Sequence, residues 1–98
     1  MPYLIQLEDK PQAGKLRADV RGVHLQYLDA NKDKLLAAGA LIEDDGSGGS
    51  GSLYIVDTED REEAQRFLEG DPFHQAGLFG KVTITRWRKA FFNKERFV

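Results

Sequence analysis

His24 and Asp71 are the residues whose types best suit proton transfer in this chain. A free imidazole titrates near neutrality, so a histidine can both take and give a proton at ordinary pH. A carboxylate beside it can fix its tautomer and stabilise the imidazolium. Each residue also has a plainer use. A histidine on a buried helix stripe can be a core residue satisfied by one hydrogen bond. An aspartate before Pro72 can cap a helical turn. Only a fold that brings the short turn after Asp71 against the helix carrying His24 can join them. Around this pair, Arg21 stands one helical turn before His24 and suits an anionic group. Tyr27, Phe73, Ser50 and Ser52 complete the expected substrate-binding set. His74 is expected to be exposed.

Other chemistries find little support. The chain has no cysteine, which excludes disulfides, thiol catalysis and thiolate metal sites. Two histidines and scattered acids give none of the spacings that hold zinc, so no metal is expected. Gly48 and Gly51 sit in a Gly/Ser run outside any strand-to-helix unit, so they do not read as a dinucleotide loop. The serines there lack the strand-turn-helix setting of a nucleophile elbow. No cofactor is expected.

The elements that must position these residues follow from periodicity. Tyr3 to Leu7 reads as a first strand. From about Asp19 to Ala38, Val20, Val23, Tyr27, Leu28 and Leu35 recur at helical spacing, with His24 and Asn31 in the middle of that stripe. Gly39 reads as the stop of this helix, and Ala40-Leu41-Ile42 as the start of a second strand. Residues 44–52 form a Gly/Ser-rich hairpin loop, and Ser52 to Val56 a third strand. Asp60 and Glu63 have the spacing of a capping box for a second helix, which Gly70 closes. A short turn from Asp71 to about Gly77 leads to a fourth strand, Lys81 to Arg88. The order β-α-β-β-α-β predicts an α+β, ferredoxin-like domain with a four-stranded antiparallel sheet. Residues 1–98 read as one domain, with a basic, aromatic tail at 90–98.

Composition agrees with a globular protein: 41% hydrophobic, 31% charged. Lys and Arg number 14 against 16 Asp and Glu, so nucleic acid is not an expected partner. No apolar run reaches the roughly 20 residues of a membrane helix, and Met1 to Ile5 leads into charged sequence with no signal peptide. The expected location is the cytoplasm. Two helices on one sheet face leave the other face open. Tyr3, Ile5, Tyr54, Val56 and Trp87 cannot all be left to water, so part of this set is expected on a face that a second copy covers. A homodimer is the expectation.

The ordered set Arg21-x-x-His24-Leu25-x-x-Leu28, Gly39, the Gly-rich hairpin, Glu62-Glu63-Ala64, Asp71-Pro72-Phe73, Gly77-Leu78 and Trp87 resembles the YCII-related (YciI-like) family. Gly22 stands where that family often has a proline. The resemblance covers about Tyr3 to Trp87. It implies a dimeric α/β barrel with a site centred on a histidine and an aspartate, here His24 and Asp71. The expected function is a small enzyme of isomerase or lyase type using these two residues on a small oxygenated organic molecule. The alternative is a non-catalytic ligand-binding or accessory module on the same barrel, and a purely structural interaction protein is the third reading.

Overall fold

Alternate residues of the first strand carry the design. In β1 (Tyr3–Asp9), Tyr3, Ile5 and Leu7 are buried while Gln6 and Glu8 are exposed. The computed structural model describes residues 1–98. After β1 come α1 (Gly14–Ala30), a 3-10 turn (Lys32–Lys34), β2 (Leu35–Leu41) and β3 (Gly51–Val56). Then follow α2 (Arg61–Gly70), α3 (Pro72–Gln75), β4 (Phe79–Arg86), and a hairpin of β5 (Phe91–Phe92) with β6 (Glu95–Arg96). The main sheet has the order β2-β3-β1-β4, antiparallel throughout. This is the expected ferredoxin-like arrangement, the subunit fold of dimeric α/β barrels.

Register is set by burial. Ile5 lies opposite both Tyr54 and Ile84, and Leu7 opposite Ser52 and Val82, so these share the helix-covered face. A one-residue slip would turn Ile5 and Leu7 outward, at about 1.5–3 kcal/mol for each apolar side chain. The core beneath the helices joins them to Tyr54, Val56, Ala64, Phe67, Leu68, Phe73 and Leu78.

The first helix departs from expectation at both ends. It starts at Gly14, not Asp19, and stops at Ala30, not Ala38. Asn31 ends it. Its side-chain Nδ2 donates to the Tyr27 carbonyl at 2.8 Å, and its backbone N–H reaches Tyr27 and Leu28. The chain then tightens into the 3-10 turn and becomes an edge strand, with Asp57 N–H bonded to the Lys34 carbonyl. Gly39 therefore lies inside β2, opposite Leu53, and terminates nothing. Leu41 ends that strand where the sequence reading began it. Val23 is 55% exposed, because its helical angle falls about 80–100° from the centre of the stripe that packs.

The open sheet face also differs. Tyr3, Ile5, Tyr54 and Val56 all lie under the helices. The opposite face carries half-buried Leu4, Leu53 and Ile55 among Gln6, Thr83 and Thr85. Trp87 lies just past β4, tied by its N–H to the Pro2 carbonyl and packed edge-on against Phe92. At the second helix, Asp60 caps the Glu62 N–H at 2.9 Å. Glu63 bonds the Thr58 hydroxyl and makes no return bond to Asp60, a departure from the capping box.

Candidate active site

The site assembles where α1 crosses the junction of α2 and α3. His24 is the one buried residue of α1. Asp71 is both the last cap of α2 and the first of α3, and no part of it is exposed. His24 Nδ1 lies 2.7 Å from Asp71 Oδ1. The same oxygen accepts the Phe73 backbone N–H at 3.0 Å. The two uses of Asp71 weighed from the sequence are therefore not exclusive. One carboxylate caps the turn and meets the histidine.

A third donor completes this carboxylate. The Tyr54 hydroxyl, buried on β3, donates to Asp71 Oδ2 at 2.5 Å. An ionised carboxylate has no proton to give, so Nδ1 is the donor to Asp71. His24 makes no other hydrogen bond, and no buried side-chain nitrogen or oxygen lacks a partner. Nε2 is thus accessible from outside, free to take or give a proton. The imidazole is held flat on Phe73, with ring centroids 3.8 Å apart and planes 14° apart.

Burial pushes the Tyr54 phenol above its ordinary value, and the charge and hydrogen bond of Asp71 push it further the same way. Tyr27 is raised too, first by burial and then by the Asp71 charge.

His24 opens on a pocket of about 190 Å³ between α1 and the β2–β3 edge. Arg21, Leu25 and Leu28 form one wall, Ala38, Gly39 and Ala40 the other, with Ser52, Tyr54 and Phe73 at the base. Arg21 is exposed and makes no ion pair. Of the residues expected to bind substrate, Arg21, Ser52 and Phe73 line this pocket. Ser50 does not, being exposed on the loop with its backbone joined to Asp9 and Leu41. Tyr27 does not either. It lines a different cavity, and its hydroxyl donates to the Phe67 carbonyl at 2.8 Å. The third position after His24 is rotated about 60° back around the helix and displaced along its axis toward α2. Gly70 makes room there, since a Cβ at that position would sit 2.6 Å from the Tyr27 oxygen. His74 is half-buried on α3.

Two residues were missed. Arg17 forks onto Asp9 at 2.7 and 2.9 Å, reaches the Gly51 carbonyl and the Ser52 hydroxyl at 3.0 Å, and lies over the Phe73 ring. It ties β1, α1 and β3 together at the pocket's end. A spacing of seven puts Arg17 and His24 within about 20° on one helix face. Starting the helix at Asp19 hid that signal. In the sequence Tyr54 has the pattern of a strand residue, and nothing local marks its hydroxyl as a partner of Asp71.

A YCII-related domain model matches residues 1–88, leaving the β5–β6 hairpin beyond it. Protein YciI of Escherichia coli O6:H1 (strain CFT073) is 34% identical, with 93% of this chain and all of that protein covered. Among solved structures, 5-chloro-2-hydroxyhydroquinone dehydrochlorinase from Burkholderia phenoliruptrix AC1100, in complex with 2,5-dihydroxybenzoquinone, has a TM-score of 0.82 and 34% identity. That match covers 90% of this chain and 94% of the other. An antibiotic biosynthesis monooxygenase shares the fold at a TM-score of 0.50 and 15% identity, covering 87% of this chain and 94% of its own. The chain belongs to the YCII-related family.

Proposed function

We propose that this chain is a small acid–base enzyme of lyase or isomerase type, with His24 as the proton-transfer group and Asp71 as its orienter. One observation carries the reading: a buried Asp71 at 2.7 Å from His24 Nδ1, with the other ring nitrogen left for a pocket of small-molecule size. Nε2 takes a proton from a hydroxyl or an activated carbon of the substrate. The electron pair moves into the adjoining system, where it expels a leaving group or shifts a double bond. The imidazolium then returns the proton to the product or to solvent. Arg21 faces a developing oxyanion. Phe73 and Ser52 line the substrate's position, and no organic cofactor or metal enters these steps.

The similarity to a dehydrochlorinase solved with a hydroxyquinone supports a small, oxygenated, planar substrate. Two copies pair through the open sheet face, whose Leu4, Leu53 and Ile55 are half-buried in one chain, and the protein works in the cytoplasm without nucleic acid. Sedimentation at micromolar concentration tests the pairing; a strict monomer rules it out.

The activity test is turnover of chlorinated and non-chlorinated hydroxyhydroquinones, wild type against His24→Ala. A substrate turned over by the wild type should lose at least about 100-fold in kcat in the variant. Equal turnover would remove His24 from the mechanism. Tight binding of 2,5-dihydroxybenzoquinone without turnover of any substrate would favour the ligand-binding module.

A further inference from the structure

The buried carboxylate has two oxygens and two side-chain partners. Oδ1 faces His24 and Oδ2 faces the Tyr54 hydroxyl. Neither partner can turn away. The imidazole is stacked on Phe73, and Tyr54 is 1% exposed and edge-packed against Phe67. A hydrogen bond from one side of a carboxylate draws charge toward that oxygen and weakens what the other oxygen offers.

We propose that Tyr54 is a positioning residue of the site, a third member of the chain His24–Asp71–Tyr54 that sets how strongly Asp71 holds the imidazolium. The inference rests on the proton-transfer reading of His24 for its functional meaning, but its physical content is independent of any substrate. With Tyr54 in place, Asp71 stays ionised and correctly rotated while its pull on His24 is moderated. Nε2 is then poised to release its proton as well as accept one. Without the hydroxyl, the charge turns wholly to His24, the imidazolium is held more tightly, and proton return slows.

The surroundings leave this coupling exposed to measurement. The charged and titratable groups around the imidazole are Asp71 at the α2–α3 junction, Tyr54 from β3, and Arg17 and Arg21 from its own helix. Arg17 is already neutralised by Asp9 of β1. The β2 wall supplies only Ala38, Gly39 and Ala40. Tyr27 senses the Asp71 charge but bonds the Phe67 carbonyl. Changing Tyr54 therefore alters one donor to Asp71 and no net charge.

The experiment is an NMR pH titration of the His24 imidazole in the full chain, in a His74→Gln background that leaves one histidine signal. Three proteins are compared: one with Tyr54 intact, one with Tyr54→Phe, and one with 3-fluorotyrosine placed at position 54. Tyr54→Phe removes the donor and should move the His24 midpoint upward. Fluorotyrosine is the more acidic phenol and the stronger donor, so it should move the midpoint downward. Opposite movements are not produced by a tyrosine that only fills space. Midpoints that stay put, or that move the same way in both, overturn the inference. If Tyr54→Phe does not fold, the fluorotyrosine protein decides alone by its direction. Opposite shifts with 2,5-dihydroxybenzoquinone bound but no substrate turned over would keep the Tyr54 coupling and favour the ligand-binding module over the enzyme.

Discussion

Two cavities on the helix side of the sheet invite comparison, and the larger of them holds the weaker case for chemistry. The larger, about 300 Å³, is lined by Tyr27, Lys34, Val56, Asp57, Thr58, Glu63, Arg66 and Phe67. Its charged groups lie at the surface, where water screens them and their geometry is loosely held. The smaller opens on His24, whose partner Asp71 is wholly buried and bonded by three donors. Volume measures room. Directed reactivity needs groups that are desolvated, oriented and still reachable at one atom, and only the smaller cavity has such a group.

The sharpest way to break that contrast is to remove one carboxylate or cation from each cavity. Asp71→Ala leaves His24, Tyr54 and the Phe73 N–H without their shared acceptor. Breaking a buried pair of this kind costs about 3–5 kcal/mol. Asp71→Asn keeps an acceptor for the cap and should lose less, about 1–3 kcal/mol. In the other cavity Arg66 only approaches Glu62 at 3.8 Å on the surface, so Arg66→Ala should stay within about 0.5 kcal/mol. Urea unfolding of the three variants measures this. Similar losses for Asp71→Ala and Arg66→Ala would mean that burial does not distinguish the two cavities.

Ligand binding gives the next contrast. Ala40 lines the smaller pocket and lies opposite Ser52 on the helix-covered face. Ala40→Phe fills the pocket from an edge strand without disturbing the core. Affinity for 2,5-dihydroxybenzoquinone should fall at least about tenfold, or roughly 1.4 kcal/mol, in calorimetry. Unchanged binding would place the quinone elsewhere, with the larger cavity the next position to block.

These two positions also mark how far the sequence could be read. The order of strands and helices was legible because alternation in Tyr3 to Leu7 and three-to-four spacing around His24 are local signals. Asp71 was legible as a cap for the same reason. The end of α1 was not, because Leu35 continues the helical period while belonging to an edge strand, and only its pairing with β3 decides between them. Tyr54 was illegible as a site residue because its partner Asp71 reaches it through a tertiary contact, whereas Arg17 carries a helical-spacing signal that a helix start at Asp19 conceals. Tyr27, expected beside the substrate, lines the other cavity, because three residues past His24 a side chain lies about 60° back around the helix.

Alkaline pH gives a smaller effect with a definite sign. Burial and then the Asp71 charge raise the Tyr54 phenol in the folded protein. The unfolded tyrosine ionises near about pH 10. A raised folded value means a contribution that is whole below that pH and lost as pH rises beyond it, because only the unfolded chain then releases the proton. Stability of the wild type should fall above about pH 10 more steeply than that of Tyr54→Phe. Tyr27, raised as well, keeps part of the slope in the variant. Parallel curves would mean that the phenol ionises as readily inside as outside.

The smallest effect comes from a carboxylate of the same chemical kind in the opposite setting. Glu59 is fully exposed and takes the N-terminal amine on one oxygen and Arg86 at 3.2 Å on the other. The hydrogen bond and charge of the amine hold its carboxyl below the usual glutamate value. A lowered folded value means a contribution present above the unfolded value, about 4.3, and lost as pH falls through the folded one. Glu59→Gln should therefore differ slightly from wild type at neutral pH and converge with it in acid. Added salt should close the gap at neutral pH too, since nothing shields this pair from the solvent. The Asp71 variants should keep their deficit in the same salt. A salt-insensitive Glu59 gap would show that screened charge pairing does not account for its contribution, and the contrast between the exposed and the buried carboxylate would fail.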